Sequence, residues 1–373
     1  MTSYEKVFST NVRKYRKQFG FTQRALAEVT GYSEKTVSKW ETEGCIPPVE
    51  SLIRISSVFH IDLNTLFLGD ETMFYLGIDG GGTKTAFALA DHTGKIQRSL
   101  RTAPCNPFDI GIEKAKEVLK DGVYRICEGI PLSSVSMFAG LAGGKAGNFT
   151  DTFDAFFGSF NFALSKTGSD NENIIAAGLD GRDGITVILG TGICSYVVQN
   201  GQYHRIAGWG YLFDEGGSAY NIGRDALSMY FSACDGSGEE TALTLRIGEV
   251  TGNNPSSLLN TLYEGGKKEI ASYAVLVFEE AEKGDEVATS ILRRNMKEAA
   301  RIIQAACSYF PHDAQIPVIL AGGLTEQRML LPLLTEELDD VNNVQGIQIE
   351  TLTVPSVEGA IKIAMDLWKE QRA

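Results

Sequence analysis

Glycine-rich turns that could bind phosphate follow three apolar segments of the chain. Residues 76–85 read LGIDGGGTKT, residues 188–192 read ILGTG and residues 319–323 read ILAGG. Because glycine has no side chain, its backbone N–H groups can approach a phosphate closely, and a threonine hydroxyl adds a further donor. The sequence therefore predicts a nucleotide site formed by Gly80, Gly81, Gly82, Thr83, Lys84, Gly190, Thr191, Gly192, Gly322 and Gly323.

Asp79 stands at the end of the first apolar segment, directly before the glycines. A carboxylate in that place could hold Mg²⁺, usually through water, because Mg²⁺ keeps several waters and takes few protein ligands. We therefore expect ATP and Mg²⁺ as cofactors, with Asp79 as the metal residue. One glycine-rich turn alone could equally be a plain hairpin turn, but three in this order favour the nucleotide site.

The three turns resemble the phosphate and adenosine loops of the superfamily that joins sugar kinases, actin and heat-shock chaperone ATPases. Within it, the segment 208–223, GWGYLFDEGGSAYNIG, resembles the N-acetylglucosamine kinase branch, also called the BadF-type ATPase family. The resemblance covers about residues 74–370. It implies a duplicated α/β body of the ribonuclease-H-like type that binds ATP and an amino sugar.

Two departures from that family pattern bear on catalysis. The family motif Gly-x-Ala-Gly-x-Asp ends in the base for the sugar hydroxyl, whereas residues 140–145 here read GLAGGK and place Lys145 there. A lysine ammonium cannot accept a proton unless its pKa falls strongly. Asp170 matches an acidic position near the phosphates and becomes the candidate base. The family's GDEGS is also altered, so that Glu215 takes the place of its aspartate; the resemblance implies sugar contacts by Asn106, Gly143 and Glu215.

A basic segment with helical patterning precedes this body. Residues 1–40 hold eight lysines and arginines against three acidic residues, although the whole chain has a net charge of −13. Thr22 and Ser33 are good N-caps for helices over 23–30 and 34–43, with Gly31 at the turn between them. In the second helix Val37 and Trp40 would face inward.

This segment resembles the phage-repressor helix-turn-helix family (Cro-like, XRE-type) over about residues 8–68. A helix of this size can lie in the major groove of DNA. The resemblance implies that Glu34, Lys35 and Lys39 face base edges and that Gln23, Ser33 and Thr36 meet phosphates, which position the domain without reading sequence. The alternative is a helical protein-interaction domain whose charges are solvated.

Strands and helices alternate from residue 73 onward. We expect strands at 74–79, 85–90, 135–142, 185–189 and 316–320, and helices at 112–128, 216–233, 240–250, 269–283, 286–310 and 357–371. The predicted fold is an all-α helix-turn-helix head at 1–70, joined to an α/β duplicated body at 73–373 with lobes at about 73–180 and 181–373.

Composition excludes several other classes of protein. No apolar run approaches the roughly 20 residues of a membrane span, and no signal peptide is visible. Six dispersed cysteines and four histidines argue against a zinc site or a disulfide framework and favour the cytoplasm. We expect as partners a double-stranded DNA operator, an amino sugar or sugar phosphate, and a second copy of the chain, with no membrane.

Three functions stay open from the sequence alone. The chain could be a transcriptional regulator whose body senses an amino sugar, a sugar phosphate or a nucleotide. It could be an active N-acetylhexosamine kinase that also binds DNA. It could be an ATPase that activates a dehydratase, as some BadF relatives do with a shared iron–sulfur cluster; Cys194 follows the second loop, but no matching partner cysteine is evident.

Overall fold

The computed structural model describes residues 3–61, 63–67, 73–142, 149–311, 313–339 and 346–372. They divide into two compact units. The first contains the chain up to Asn173 together with the segment from Ser356 onward, and the second contains Ile174–Pro355. In the described part of the chain, no helix combines the length and apolar character needed to cross a membrane.

The head is a bundle of short helices with its own apolar core. Thr22 accepts a hydrogen bond from the Ala25 N–H (3.0 Å) at the start of the second helix, and Gly31 ends that helix with a φ of 78°. Glycine adopts this left-handed conformation without strain. The head consists of α1 (Ser3–Gln18), α2 (Gln23–Thr30), α3 (Glu34–Thr42), α4 (Val49–Phe59) and α5 (Leu63–Phe67), and its core includes Phe8, Val12, Leu26, Val37, Trp40, Ile55 and Phe59.

The first unit contains a five-stranded sheet. Its strands are β1 (Phe74–Gly80), β2 (Thr85–Ala90), β3 (Ile96–Thr102), β4 (Val135–Leu141) and β5 (Leu164–Ser169), in the order β3-β2-β1-β4-β5. The strands β1, β4 and β5 run parallel, so their carboxyl ends meet at one edge. The helices α6 (Pro107–Ile110), α7 (Ile112–Ile126), α8 (Phe149–Gly158) and α9 (Asp170–Leu179) connect or follow these strands.

The second unit repeats this topology. Its strands are β6 (Gly184–Leu189), β7 (Ile193–Gln199), β8 (Gln202–Ala207), β9 (Ile316–Ala321) and β10 (Ile347–Thr351), in the order β10-β9-β6-β7-β8. In both sheets an antiparallel three-stranded meander comes first and two parallel strands are added beside its first strand. The duplicated α/β fold predicted from the sequence is therefore confirmed.

Helices cover the second sheet in a pattern that partly differs from the expected one. They are α10 (Ala219–Cys234), α11 (Ala242–Val250), α12 (Pro255–Ser272), α13 (Ala274–Glu282), α14 (Glu286–Cys307) and α15 (Leu330–Asp339). The single helix expected at 269–283 is wrong: α12 already begins at Pro255 and is kinked at Gly266, and α13 is a separate helix. A glycine with a φ of 59° inside α12 explains the kink.

The last helix, α16 (Ser356–Arg372), belongs to the first unit although it follows the second in the chain. It lies against β1 at Gly77, where a side chain would come within 2.6 Å of the Val357 carbonyl oxygen and 2.9 Å of the Ile361 nitrogen. The Ser136 hydroxyl on β4 also donates to the Ala364 carbonyl (2.8 Å). The absence of a side chain at residue 77 lets the helix approach the sheet closely enough to cover it.

Candidate functional site

The first glycine loop, predicted to bind phosphate, is the turn between β1 and β2. Gly80 pairs with Thr85 across the turn, and the Gly81 N–H donates to the Lys84 carbonyl (3.0 Å). A side chain at residue 80 would come within 2.5 Å of both the Cys105 sulfur and a methyl carbon of Leu141. Only glycine therefore fits at residue 80. In the turn itself, Gly81 and Gly82 are half-buried, and Thr83 and Lys84 are exposed.

Asp79, the residue before this turn, has a hydrogen-bond donor on each carboxylate oxygen. The Asn173 side-chain nitrogen donates to its Oδ1 (2.9 Å), and the Ser356 hydroxyl donates to its Oδ2 (2.6 Å). Asn173 lies on α9 and Ser356 begins α16. Neither residue was predicted from the sequence, although both stand at the start of a helix that the chain reaches directly after a strand or a proline.

Asp170 begins α9 at the end of β5, the second strand along from β1. Burial raises its pKa, and the negative charge of Asp79 raises it further, against the hydrogen bond that Ser169 donates to its carboxylate. The nearby Cys105 thiol has a pKa of about 11, again raised by burial first and then by both carboxylates. The edge of the first sheet thus brings two carboxylates together in a poorly solvated place.

The second and third glycine loops lie side by side in the second unit. Gly190 closes the turn between β6 and β7 by donating its N–H to the Gly192 carbonyl (2.9 Å). Gly322, with a φ of 99°, follows β9, and a side chain there would come within 2.4 Å of the Leu189 carbonyl oxygen. Gly323 begins a short 3-10 helix, and Thr191 is exposed.

The start of α10 holds the second loop in place. The N–H groups of Ala219 and Tyr220 donate to the carbonyls of Gly190 (2.9 Å) and Thr191 (3.2 Å). These amides belong to the first turn of a helix, where no partner within the helix exists for them. Both amides therefore find their acceptors in the second glycine loop, which fixes the loop against the start of α10.

The residues expected to bind or transform a sugar are spread over several loops. Asn106 caps α6 by accepting a hydrogen bond from the N–H two residues further on (3.1 Å). Glu215 is exposed on the loop before α10, and Cys194 is half-buried on β7. Gly143 and Lys145 lie outside the described residues.

The predicted DNA-reading residues lie on the outer side of α3. Glu34, Lys35 and Lys39 are exposed, whereas Val37 and Trp40 on the opposite side are buried. Ser33 caps the helix, accepting the Thr36 N–H (3.2 Å) and pairing with the Thr36 hydroxyl (2.8 Å). The division between the two helix faces is therefore as predicted from the sequence.

Gln23 has a protein partner in the head that the sequence did not reveal. Its side-chain nitrogen donates to Glu41 (2.9 Å), and the same carboxylate accepts two hydrogen bonds from Arg16, at 2.5 and 3.0 Å. The side chain of Glu41 is 1% exposed and that of Arg16 is 11% exposed. Arg16 also donates to the Phe21 carbonyl (2.8 Å), so this buried ion pair ties α1 and α2 to α3.

The carboxylates of Asp79 and Asp170 are suitable ligands for the predicted Mg²⁺. The described residues contain no group of three or more histidine, cysteine or acidic side chains arranged to hold a metal ion. Mg²⁺ does not need such a group, because it is commonly bound through one or two carboxylates, water and the phosphates of the substrate. Asp79, with Asp170 at the same sheet edge, would provide carboxylates of that kind next to the first glycine loop.

Comparison with known protein families shows which family this chain belongs to. Residues 76–362, which include all three glycine loops, match the model of the BadF/BadG/BcrA/BcrD ATPase family. The chain belongs to this ATPase family. Residues 12–66 match the helix-turn-helix family, so this ATPase-family chain also carries a helix-turn-helix head.

Two relatives of this ATPase-family chain are sugar kinases. An N-acetylmuramic acid/N-acetylglucosamine kinase of Clostridium acetobutylicum is 29% identical over 263 residues, which cover 67% of this chain and 85% of the relative. An N-acetyl-D-glucosamine kinase of Dictyostelium discoideum is 25% identical, over 78% of this chain and 98% of the relative. Both matches exceed the length of either unit alone.

Solved structures show the same fold. A protein from Chromobacterium violaceum, provisionally assigned as an N-acetylglucosamine kinase, has a TM-score of 0.67 at 22% identity and covers 79% of this chain and 99% of its own. A ROK family transcriptional regulator, a homologue of the E. coli MLC protein, has a TM-score of 0.53 at 12% identity and covers 100% of this chain and 99% of its own. The second likeness includes the head.

Proposed function

We propose that this protein is a DNA-binding transcriptional regulator whose ATPase-family body senses an amino sugar, a sugar phosphate or a nucleotide. The observation that carries the proposal is the presence of a helix-turn-helix head, with charged side chains exposed on α3, in one chain with a kinase-like body. We take residues 1–70 as the DNA-binding part and 73–373 as the sensing part, acting together in the cytoplasm.

The head binds operator DNA through α3. Glu34, Lys35 and Lys39 are exposed on α3 and would contact base edges, while Ser33 and Thr36, at the helix start, would contact phosphates. One head offers few contacts, so we propose a homodimer on two half-sites about 34 Å apart. The side-chain nitrogen of Gln23 already donates one hydrogen bond to Glu41, so a contact with phosphate would use the second hydrogen on that nitrogen.

The body binds ATP through its glycine loops. The loops at Gly80–Lys84 and Gly190–Gly192 would lie against the phosphates, with the exposed Thr83 and Thr191 as hydroxyl donors, and Gly322–Gly323 would lie against the adenosine, as the ATPase family suggests. Asp79 would hold Mg²⁺ through water, with Asp170 close by. A bound Mg²⁺ would neutralise the charge on the phosphates. Asn106, Gly143 and Glu215 are our candidates for the sugar.

An active kinase is the second candidate, and the place of Asp170 favours it, since Asp170 follows β5 at the sheet edge where Asp79 ends β1. The raised pKa of Asp170 makes its carboxylate a better proton acceptor than an exposed aspartate once it is ionised. It could take the proton of the attacking sugar hydroxyl although Lys145 stands where the family has its aspartate. The sugar-kinase relatives support the same candidate.

Two measurements separate the candidates. Titration of the full chain with operator DNA, alone and with ATP, N-acetylglucosamine or its 6-phosphate, should show a change in DNA affinity with at least one ligand if the body is a sensor. ADP release with N-acetylglucosamine should be slow or absent in wild type and should increase in Lys145→Asp. Wild-type turnover at an ordinary kinase rate, roughly 1–100 per second, would instead establish the kinase.

A further inference from the structure

Both oxygens of the Asp79 carboxylate are held by side chains that come from distant parts of the sequence. Asn173 is 94 residues away and Ser356 is 277 residues away. Hydrogen bonds to an ionised acceptor are roughly twice as strong as bonds between neutral groups. Two such bonds from opposite ends of the carboxylate fix the plane of the group, and each oxygen keeps lone-pair capacity for a further partner.

The two donors stand at the two places where the chain passes between the units. Asn173 is the last residue of the first unit before the chain enters the second, and Ser356 is the first residue after it returns. Asp79 therefore has one hydrogen bond to each crossing. A change in the orientation of this carboxylate must lengthen or break a bond to a crossing residue.

The orientation of the Asn173 amide is dictated by its surroundings. Its nitrogen also faces the carbonyl oxygens of Ile78 (3.2 Å) and Gly140 (3.4 Å), so a flipped amide would set its oxygen against three other oxygens. The amide oxygen is consequently buried with no hydrogen-bond partner. A buried acceptor without a partner is unfavourable, so the surrounding carbonyls, and not the amide oxygen, determine that the N–H₂ group faces Asp79.

Gly140 provides the space for this arrangement. A side chain at residue 140 on β4 would come within 2.3 Å of the Asn173 oxygen and 2.4 Å of its nitrogen. The amide is therefore packed directly against the backbone of β4, with no room for another rotamer in that direction. The geometry around Asp79 rests on the backbone of two strands and not only on side chains.

We propose that Asn173 and Ser356 are positioning residues for the metal–nucleotide site, which hold the Asp79 carboxylate so that its free lone pairs meet the water shell of the cation. This inference rests on the proposed nucleotide binding by the body. Because Asn173 and Ser356 stand where the chain passes between the units, cation binding at Asp79 also lowers the mobility of the backbone at these two places.

The test is calorimetry of ATP binding to the full chain, with Mg²⁺ and again with EDTA. Loss of a side chain that orients a metal ligand typically lowers metal affinity about 10–100-fold. Ser356→Ala should therefore weaken Mg-ATP binding about 10-fold or more but leave binding of metal-free ATP unchanged, and Ser356→Thr, which keeps the hydroxyl, should restore it. Asn173→Ala should act in the same direction. The matched control is Ser159→Ala, an exposed serine at the end of α8 in the same unit.

Amide hydrogen exchange provides the second readout. In wild type, Mg-ATP should slow exchange at residues 172–176 and 355–359, and Ser356→Ala should lose the slowing at 355–359. Equal losses of affinity with Mg²⁺ and with EDTA, or unchanged Mg-ATP binding in Ser356→Ala, would overturn the inference. Failure of wild type to bind any nucleotide would overturn the proposed nucleotide sensing and this inference together.

Discussion

The backbone N–H of Gly217 donates to the side-chain oxygen of Asn295, 3.0 Å away on α14. The nitrogen of the same amide donates to the buried carboxylate of Asp225 on α10 (3.1 Å), which Arg224 and Arg294 also contact. Gly217, with a φ of 84°, makes the turn that leads into α10, and the first amides of α10 donate to the second glycine loop. Asn295 therefore sets the position of that loop through the turn before α10.

Asn295→Ala should lower the free energy of unfolding and weaken nucleotide binding together. The substitution leaves the Gly217 N–H buried without an acceptor, which costs about 1–3 kcal/mol, and frees the turn before α10. Urea denaturation and calorimetry with ATP measure the two effects. Lys297→Ala is the control, because Lys297 is exposed on the same helix. A variant that unfolds early but binds ATP normally would show that the turn does not position the loop.

Glu41→Ala should destabilise the head far more than Glu28→Ala. The first leaves the Arg16 guanidinium buried without its partner, which typically costs about 3–5 kcal/mol. The second breaks an ion pair between Arg24 and Glu28, whose side chains are 78% and 67% exposed, and should cost less than about 1 kcal/mol. Hydrogen exchange of the head amides in the full chain measures both. Similar protection in the two variants would contradict a structural role for the buried pair.

Reversing the charges of Lys35 and Lys39 to glutamate should abolish specific DNA binding. Each lost base contact is worth about 1–3 kcal/mol, so specific affinity should fall at least about 30-fold, while the heat of ATP binding is unchanged. Lys114→Glu with Lys120→Glu, two exposed positions on α7, changes the net charge by the same amount and is the control. An unchanged footprint in the Lys35/Lys39 variant would exclude α3 as the recognition helix.

Asp170→Asn should raise stability at neutral pH and lower any phosphoryl transfer. The pKa of Asp170 is raised above its ordinary value of 3.8, mainly by burial, so the folded state favours the protonated carboxyl. The ionised form therefore opposes folding above the folded-state pKa, and this penalty fades as the pH falls towards 3.8. The asparagine variant should be the more stable protein at pH 7 and equal to wild type below about pH 4.

Turnover provides the other half of this prediction. If Asp170 is the general base, ADP release with N-acetylglucosamine should fall about 10²–10⁴-fold in Asp170→Asn. The control is Asp151→Asn, an exposed carboxylate on α8 in the same unit. A stabilised variant with no loss of turnover would remove Asp170 from the chemistry.

Local signals explain which elements could be predicted from the sequence. The limits of α2 and β2 agree with the expected ones because each is bounded by residues with a clear conformational preference, such as Thr22 and Gly31 around α2. The strand β5 was not predicted, since its sequence LSKTGS has neither apolar alternation nor length. Its conformation comes from pairing with β4, which no local pattern records.

The residues of the candidate site also fall into two groups, those that could be predicted from the sequence and those that could not. Asp79 and the glycines follow from a motif in which neighbouring residues act together. Asn173, Ser356 and Asn295 could not be identified, because each acts on a group 78 to 277 residues away in the chain. Only the folded sheets and helices bring these side chains to the backbone or carboxylate that they hold.

The position of α16 also bears on how the protein is made. The first sheet is complete at β5, but the helix that covers it through Val357, Ile361 and Ala364 is synthesised about 190 residues later. Chains grow at about 5–20 residues per second, so about 10–40 s pass between the synthesis of β5 and the synthesis of α16. The five helices of the head need only residues up to Phe67. On the ribosome, all helices of the proposed DNA-binding head would therefore be synthesised well before the body that we propose controls it.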